Sequence, residues 1–269
     1  NIELPYIDLV NEILEFYVAH NETLSAQAAH DNAGATAEEL RINPQYVVDT
    51  AYEALAKALY PIDLPFNRPL TISRLYLNHL GVTRHELMNA FRKNGQPTEA
   101  ELDLEGLELS SLEGSILTGS LNNPLADFYG TTGNDPGGLN EISVADFLQR
   151  TAISYEDLNE LLSVQILNPA GSIRLEDSDN PPRCNPEKVL IKNLTPQFWQ
   201  KAHRVIRLRK KTGWSFGDLD IAFRSLNADD VTEGLLRKLF TAKKLKTDLN
   251  LSLPVLFSFW SDLDVLRPR

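Results

Sequence analysis

Cysteine is nearly missing from this sequence. Cys184 stands alone in 269 residues, which excludes an intrachain disulfide and a cysteine-based zinc site while leaving the compartment open. Methionine is equally scarce, with Met88 the single example. No apolar run approaches the roughly 18 residues that a membrane span requires. No charged segment followed by an apolar core opens the chain as a secretory leader would. Positive charge is in deficit: 37 acids face 26 bases, and the formal charge of −11 opposes non-specific binding to nucleic acid or to an anionic membrane. What is present suits a folded core, with 42% apolar residues and a length that fits one large helical domain or two small ones. The chain opens at Asn1 and stops at Leu266-Arg-Pro-Arg without a closing element, which reads as a segment of a longer protein.

The most informative stretch is Arg204 to Phe223, where two amphipathic helical patterns meet across Thr212-Gly213-Trp214-Ser215. Its hinge phrase, an apolar or small residue, then Ser or Thr, then Leu four positions later, recurs. It appears as Trp214-Ser215 to Leu219, Ala35-Thr36 to Leu40, Val82-Thr83 to Leu87, Ile153-Ser154 to Leu158 and Leu251-Ser252 to Leu256. The phrase is a helix start: the hydroxyl accepts an orphan backbone N–H while the preceding apolar residue packs on the first turn. Thr36 with Glu39, Thr83 with Glu86 and Ser110 with Glu113 complete capping boxes, and Ser154 with Asp157 and Ser215 with Asp218 are shorter-armed versions. Ile72-Ser73 to Leu77 fits the same pattern but falls inside one continuous helical run. The five phrases are spaced 47, 71, 61 and 37 residues apart, too unevenly for a regular solenoid. The expectation is an irregular array of helix–turn–helix pairs.

Along the chain, Ile7, Val10, Leu14, Tyr17 and Val18 form a helical stripe, with Pro5 suited to the first turn and His20-Asn21 as the end. A short helix follows Thr36 and halts before Pro44. Another spans Val47 to Tyr60 with Val48, Ala51, Tyr52, Leu55 and Leu59 on one face, before Pro61, Pro65 and Pro69 enforce an extended connector. Leu70–Leu80 and Arg84–Lys93 form a pair closed by Asn94-Gly95; residues 98–118 hold one or two short helices; 121–139 reads as a long loop. Ser143–Arg150 and Tyr155–Leu167 form the next pair. Residues 168–192 are rich in proline and acid, with Val189-Leu-Ile191 as a possible short strand. Thr195-Pro196 then caps a helix carrying Phe198, Trp199, Ala202, Val205, Ile206 and Leu208. Its partner carries Leu219, Ala222, Phe223 and Leu226, and Val231–Leu245 and Leu253–Trp260 complete the array. The fold class is all-α with little or no strand. The divisions are an N-terminal helical region (1–167), a loop-rich excursion (168–194) and a C-terminal helical region (195–269), which can also be one continuous helical domain.

Candidate sites are few. His203, Arg204, Arg207, Arg209, Lys210 and Lys211 form a basic cluster that could touch phosphate or an acidic partner. Cations near a helix C-terminus also complement the macrodipole by roughly 0.3–1 kcal/mol each, and that reading, or pairing with acidic neighbours, suits the negative chain better. Glu176, Asp177, Asp179 and Asn180 suggest a calcium loop, but counting from Asp177 places Pro181 and Lys188 where oxygen ligands are required. The five histidines stand in no metal-gathering arrangement, and Gly130-Thr-Thr-Gly133 with Gly137-Gly138 lacks the lysine and upstream strand of a phosphate loop. Trp199, Trp214 and Trp260 occupy apolar positions and are expected as core anchors. No catalytic, cofactor-binding or metal residue is assigned.

The Arg204–Phe223 block and Leu4-Pro-Tyr-Ile-Asp-Leu-Val-Asn-Glu-Ile-Leu-Glu15 resemble the A-subunit family of bacterial insecticidal toxin complexes, which includes the virulence-plasmid A proteins. So do Leu59-Tyr-Pro-Ile-Asp-Leu-Pro-Phe66, Tyr76 to Met88 and Phe147 to Leu158, in the same order, so that the likeness runs from about Leu4 to Asp264. The resemblance implies a segment of the α-helical shell of a large, pore-forming, toxin-translocating subunit that assembles as a homopentamer and is secreted or displayed on the bacterial surface. It implies other regions of the parent subunit and neighbouring subunits as partners, with a host-cell receptor as a further one. It lends this segment no enzymatic activity, no cofactor, no nucleic-acid partner and no direct insertion into a membrane. An alternative is a host-surface module that binds a glycan or protein through loops 121–139 and 168–192. A third, a hydrolase, would need convergent acids or a base and nucleophile in a pocket, and no spacing here predicts one.

Overall fold

The structure is a computed structural model that describes residues 6–22, 36–42, 47–132, 135, 136, 138–177 and 188–261. Asn1, Leu4, Pro5, Ala35, Pro44, Gly133, Gly137, Asp179, Asn180, Pro181, Cys184, Asp264 and Leu266, named above, lie outside the described residues. The chain forms two compact units, Asn1–Ala58 with Leu64–Ile72, and Leu59–Asp63 with Ser73–Arg269.

In the first unit, α1 (Tyr6–His20) packs on α3 (Asp49–Leu55), with α2 (Ala37–Ile42) between them in sequence. Thr36 caps α2 through a reciprocal box with Glu39. The apolar stripe of α1 is not its packed face. Ile7, Leu14 and Tyr17 are at least half exposed, and the contact with the α3 segment centres on buried Glu15. That carboxylate accepts the Val48 N–H at 2.8 Å and the Tyr52 hydroxyl. Burial, then the Glu15 carboxylate, push the Tyr52 hydroxyl up to about 12, and the Arg68 guanidinium lies 4.5 Å over its ring. Helix α3 stops at Leu55 and not at Tyr60, because Leu59 and Ile62 pack into the core of the other unit. Helix α4 (Arg68–His79) starts earlier than expected. Asn67 caps it by accepting the Leu70 N–H at 3.0 Å, and Pro69 falls inside its first turn instead of in a connector.

The second unit holds the main core. The predicted helix starts are realised in α5 (Arg84–Ala90), α7 (Ser111–Thr118) and α9 (Tyr155–Ser163), each with a two-way capping box, and α6 (Glu99–Gly106) adds a fourth from Thr98 and Glu101. Helix α8 (Val144–Thr151) is capped by Ser143, α10 (Pro196–Thr212) by Thr195 and α11 (Phe216–Ser225) by Ser215. α12 (Glu233–Leu249) starts at Thr232. The phrase fails at Ser252, which precedes α13 (Leu253–Phe257) without a side-chain cap, a proline there occupying the first turn. α10 ends on Gly213, whose φ of 69° is the left-handed conformation that closes a helix without a Cβ penalty.

The molecule is mostly helical but not strandless. β1 (Glu141–Ser143), β2 (Arg174–Asp177) and β3 (Val189–Lys192) form an antiparallel sheet in the order β1-β3-β2, with Ile191 opposite both Ile142 and Leu175. Only β3 was legible in the sequence. Residues 121–139 are not a simple surface loop either: a 3-10 turn at Leu125–Phe128 sends Ala126, Phe128 and Tyr129 into the core. Trp199 is fully buried with Tyr129 and Phe147 around it, and Trp214 is 5% exposed against Phe257. Trp260, expected as a third anchor, is 46% exposed: α13 buries Leu253, Leu256 and Phe257, and Trp260 lies in the turn beyond.

Candidate functional site

The basic cluster is the densest polar feature of α10, and the second unit engages its charged members from several sides. Arg204 reaches Asp230 at 2.9 Å, Lys210 reaches Asp63 at 2.7 Å, and Arg207 donates to the carbonyls of Ile62 and Leu59 at 2.8 and 2.5 Å. Arg209 pairs with Asp157 and Lys211 with Glu113, both at 2.5 Å. These last two acids are the capping-box residues of α9 and α7. One carboxylate oxygen of each takes the cap residue's own N–H, and the other takes the α10 cation. The helix-start phrases and the basic run are therefore parts of one device, in which box acids lock two helix entries to the C-terminal half of α10. Burial lowers the Arg207 pKa to about 10, and the guanidinium is stabilised there by carbonyl acceptors. Charges engaged in this way are not presented to a phosphate, so the macrodipole and ion-pair reading accounts for the cluster.

His203 is the exception within the run. Its ring is 4% exposed, stacks on Phe128 at 4.3 Å and meets Tyr129 edge-on, and its Nδ1 makes no hydrogen bond. Burial holds its pKa well below the ordinary histidine range, and the positive charges of Arg207 and Arg204 add to the effect. The unfolded chain takes up this proton near pH 6.5, whereas the folded chain does so only at lower pH. The folded state thus binds fewer protons in that window. Its stability is complete above the unfolded pKa and falls as pH drops below it, by up to about 1.4 kcal/mol per pH unit. Urea unfolding at pH 7 and pH 5.5 should show this loss, and His203→Phe, which keeps a ring against Phe128, should remove most of it. An unchanged pH dependence in that variant would assign the loss to other groups.

Besides Glu15, two more buried acids were not legible in the sequence. Glu105 is 5% exposed and binds Arg74 through both its oxygens, at 2.9 and 2.8 Å, and Arg84 at 2.5 Å. Arg74 also donates to the carbonyls of Glu108 and Leu109. Asp220, fully buried, accepts the Gln165 N–H at 2.7 Å and pairs with Arg224 at 3.1 Å. Helical spacing held the clue: Leu102 precedes Glu105 by three, and Phe216 and Phe223 flank Asp220 by four and three, which places both acids on buried faces.

A cavity of about 350 Å³ lies between α6, α7 and α12, and three of its four charged side chains are already engaged. Asp103 pairs with Arg237 at 2.7 Å, and Glu101 serves the Thr98 cap. Among the described residues, no group of three or more His, Cys, Asp or Glu is placed to hold a metal ion. No described helix is long and apolar enough to cross a membrane. Glu176 and Asp177 of the supposed calcium loop lie in β2. Comparison of the chain with protein-family models, curated proteins and solved structures finds no match.

Proposed function

We propose that this chain is a non-enzymatic structural and interaction segment of the helical shell of a toxin-complex A subunit. The observation that carries the reading is a set of helices with apolar faces left uncovered. On α4, Leu75 and Tyr76 are 64% and 70% exposed, Leu80 just beyond it is 73% exposed, and Phe91 after α5 is 79% exposed. On α1, Tyr6 and Ile7 are also largely exposed. Ile72, Leu75 and Tyr76 recur at helical spacing on one face of α4, and an exposed apolar face of this kind suits a docking surface that a shell segment would cover with neighbouring regions of the same parent. The capped helix joints and the internal use of the α10 charges support an architectural role. Secretion or surface display and a pentameric parent belong to the same proposal and rest on the sequence resemblance.

A binding assay separates this role from host-surface recognition. The isolated segment, applied to cells and to a glycan array, should show no saturable, competable binding. Saturable binding to one glycan class, abolished by changes in 121–132, would replace the scaffold reading with a recognition module.

A further inference from the structure

A second cavity, of about 470 Å³, opens beside α12 and α13. Its apolar wall is Leu226, Ala242, Phe257 and Trp260, its cations are Arg237 and Lys238, and three neutral polar side chains complete the lining. The volume falls within the range of roughly 300–1,000 Å³ typical of small-molecule sites, and an apolar wall with a few polar groups is their usual make-up. Two details distinguish it from the rest of the surface. The chain carries an excess of acids, yet among the described residues no carboxylate lines this cavity. Arg237 is turned to Asp103, whereas exposed Lys238 has no acidic partner among the described residues. Trp260 adds a large ring that is 46% exposed, in contrast to Trp199 and Trp214, which are buried.

We propose that this cavity binds a small amphipathic anion, a carboxylate on an alkyl or aryl body, with the body against Trp260 and half-buried Leu226 and the carboxylate at Lys238. Removal of the apolar body from water supplies most of the affinity. The exposed ammonium adds a modest, salt-sensitive preference for an anion. Among the described residues no lining carboxylate repels the head group, and none offers a cationic amphiphile a counter-charge. This site is independent of the shell reading and would exist in either role.

Decanoate is the direct probe, with decanol and decyltrimethylammonium as neutral and cationic counterparts. Since Trp199 and Trp214 are buried, changes in tryptophan emission on binding report chiefly on Trp260. Decanoate should give a saturable change below its micellar concentration, and the cationic amphiphile should not. Lys238→Glu should weaken decanoate by about 5–10-fold while altering decanol by less than about 2-fold. Trp260→Ala, followed by amide chemical shifts of Leu226 and Ala242, should weaken both. Absence of saturable binding by decanoate would overturn the proposal. So would an unchanged decanoate affinity in Lys238→Glu, or equal binding of the cationic amphiphile.

Discussion

Trp214→Ala should lower the unfolding free energy by about 3–5 kcal/mol, measured by urea denaturation at pH 7. The indole sits at the turn between α10 and α11, 5% exposed, with the Phe257 ring edge-on at 6.1 Å. Gly213 before it ends one helix in the left-handed conformation, and Ser215 after it starts the next by accepting the Asp218 N–H at 3.0 Å. With backbone fixed on both sides, the joint has little freedom to collapse into the space that the indole leaves, so the cavity term adds to the transfer term. Trp214→Phe keeps an aromatic edge for Phe257 and should recover much of the loss. A loss below about 1 kcal/mol for the alanine variant would place the residue outside the class of buried anchors.

Glu105→Ala should be comparably severe, roughly 3–5 kcal/mol, for a different reason. The carboxylate is the common partner of Arg74 and Arg84, and its removal leaves the partly buried Arg74 guanidinium with backbone carbonyls alone. The penalty is mostly that of an uncompensated charge, so a compensating change should relieve it. Glu105→Ala combined with Arg74→Met should be more stable than Glu105→Ala alone. If the double variant loses the sum of both single losses, the ion pair is not the source of the effect.

Much of the helical framework was legible because helix starts are written locally. Thr83, Ser110, Ser154, Thr195 and Ser215 each cap the helix that their spacing to an acid or a proline announced. The sheet was less legible. β1 has three residues and runs directly into the Ser143 cap, and β2 is Arg-Leu-Glu-Asp, too charged to stand out, so only the apolar Val189-Leu-Ile run signalled a strand. Burial of long-range partners was not legible at all. Glu113 and Asp157 could be read as capping acids but not as the partners of Lys211 and Arg209, which lie 98 and 52 residues away. The stripe on α1 shows the opposite failure: periodicity marked an apolar face correctly, while α3, only seven residues long, meets the helix around Glu15 instead. Periodicity shows which face is apolar, and the fold alone decides whether anything covers it.

The central claim, that this chain is a shell segment whose uncovered helix faces dock against its own parent, is tested most directly by an electron-microscopy structure of the complete parent protein. A shell segment requires a pentamer around a central channel, with this segment in the outer helical layer and Leu75, Tyr76 and Leu80 covered by neighbouring regions. A parent without a channel region, or one in which those side chains remain exposed to solvent, would contradict it.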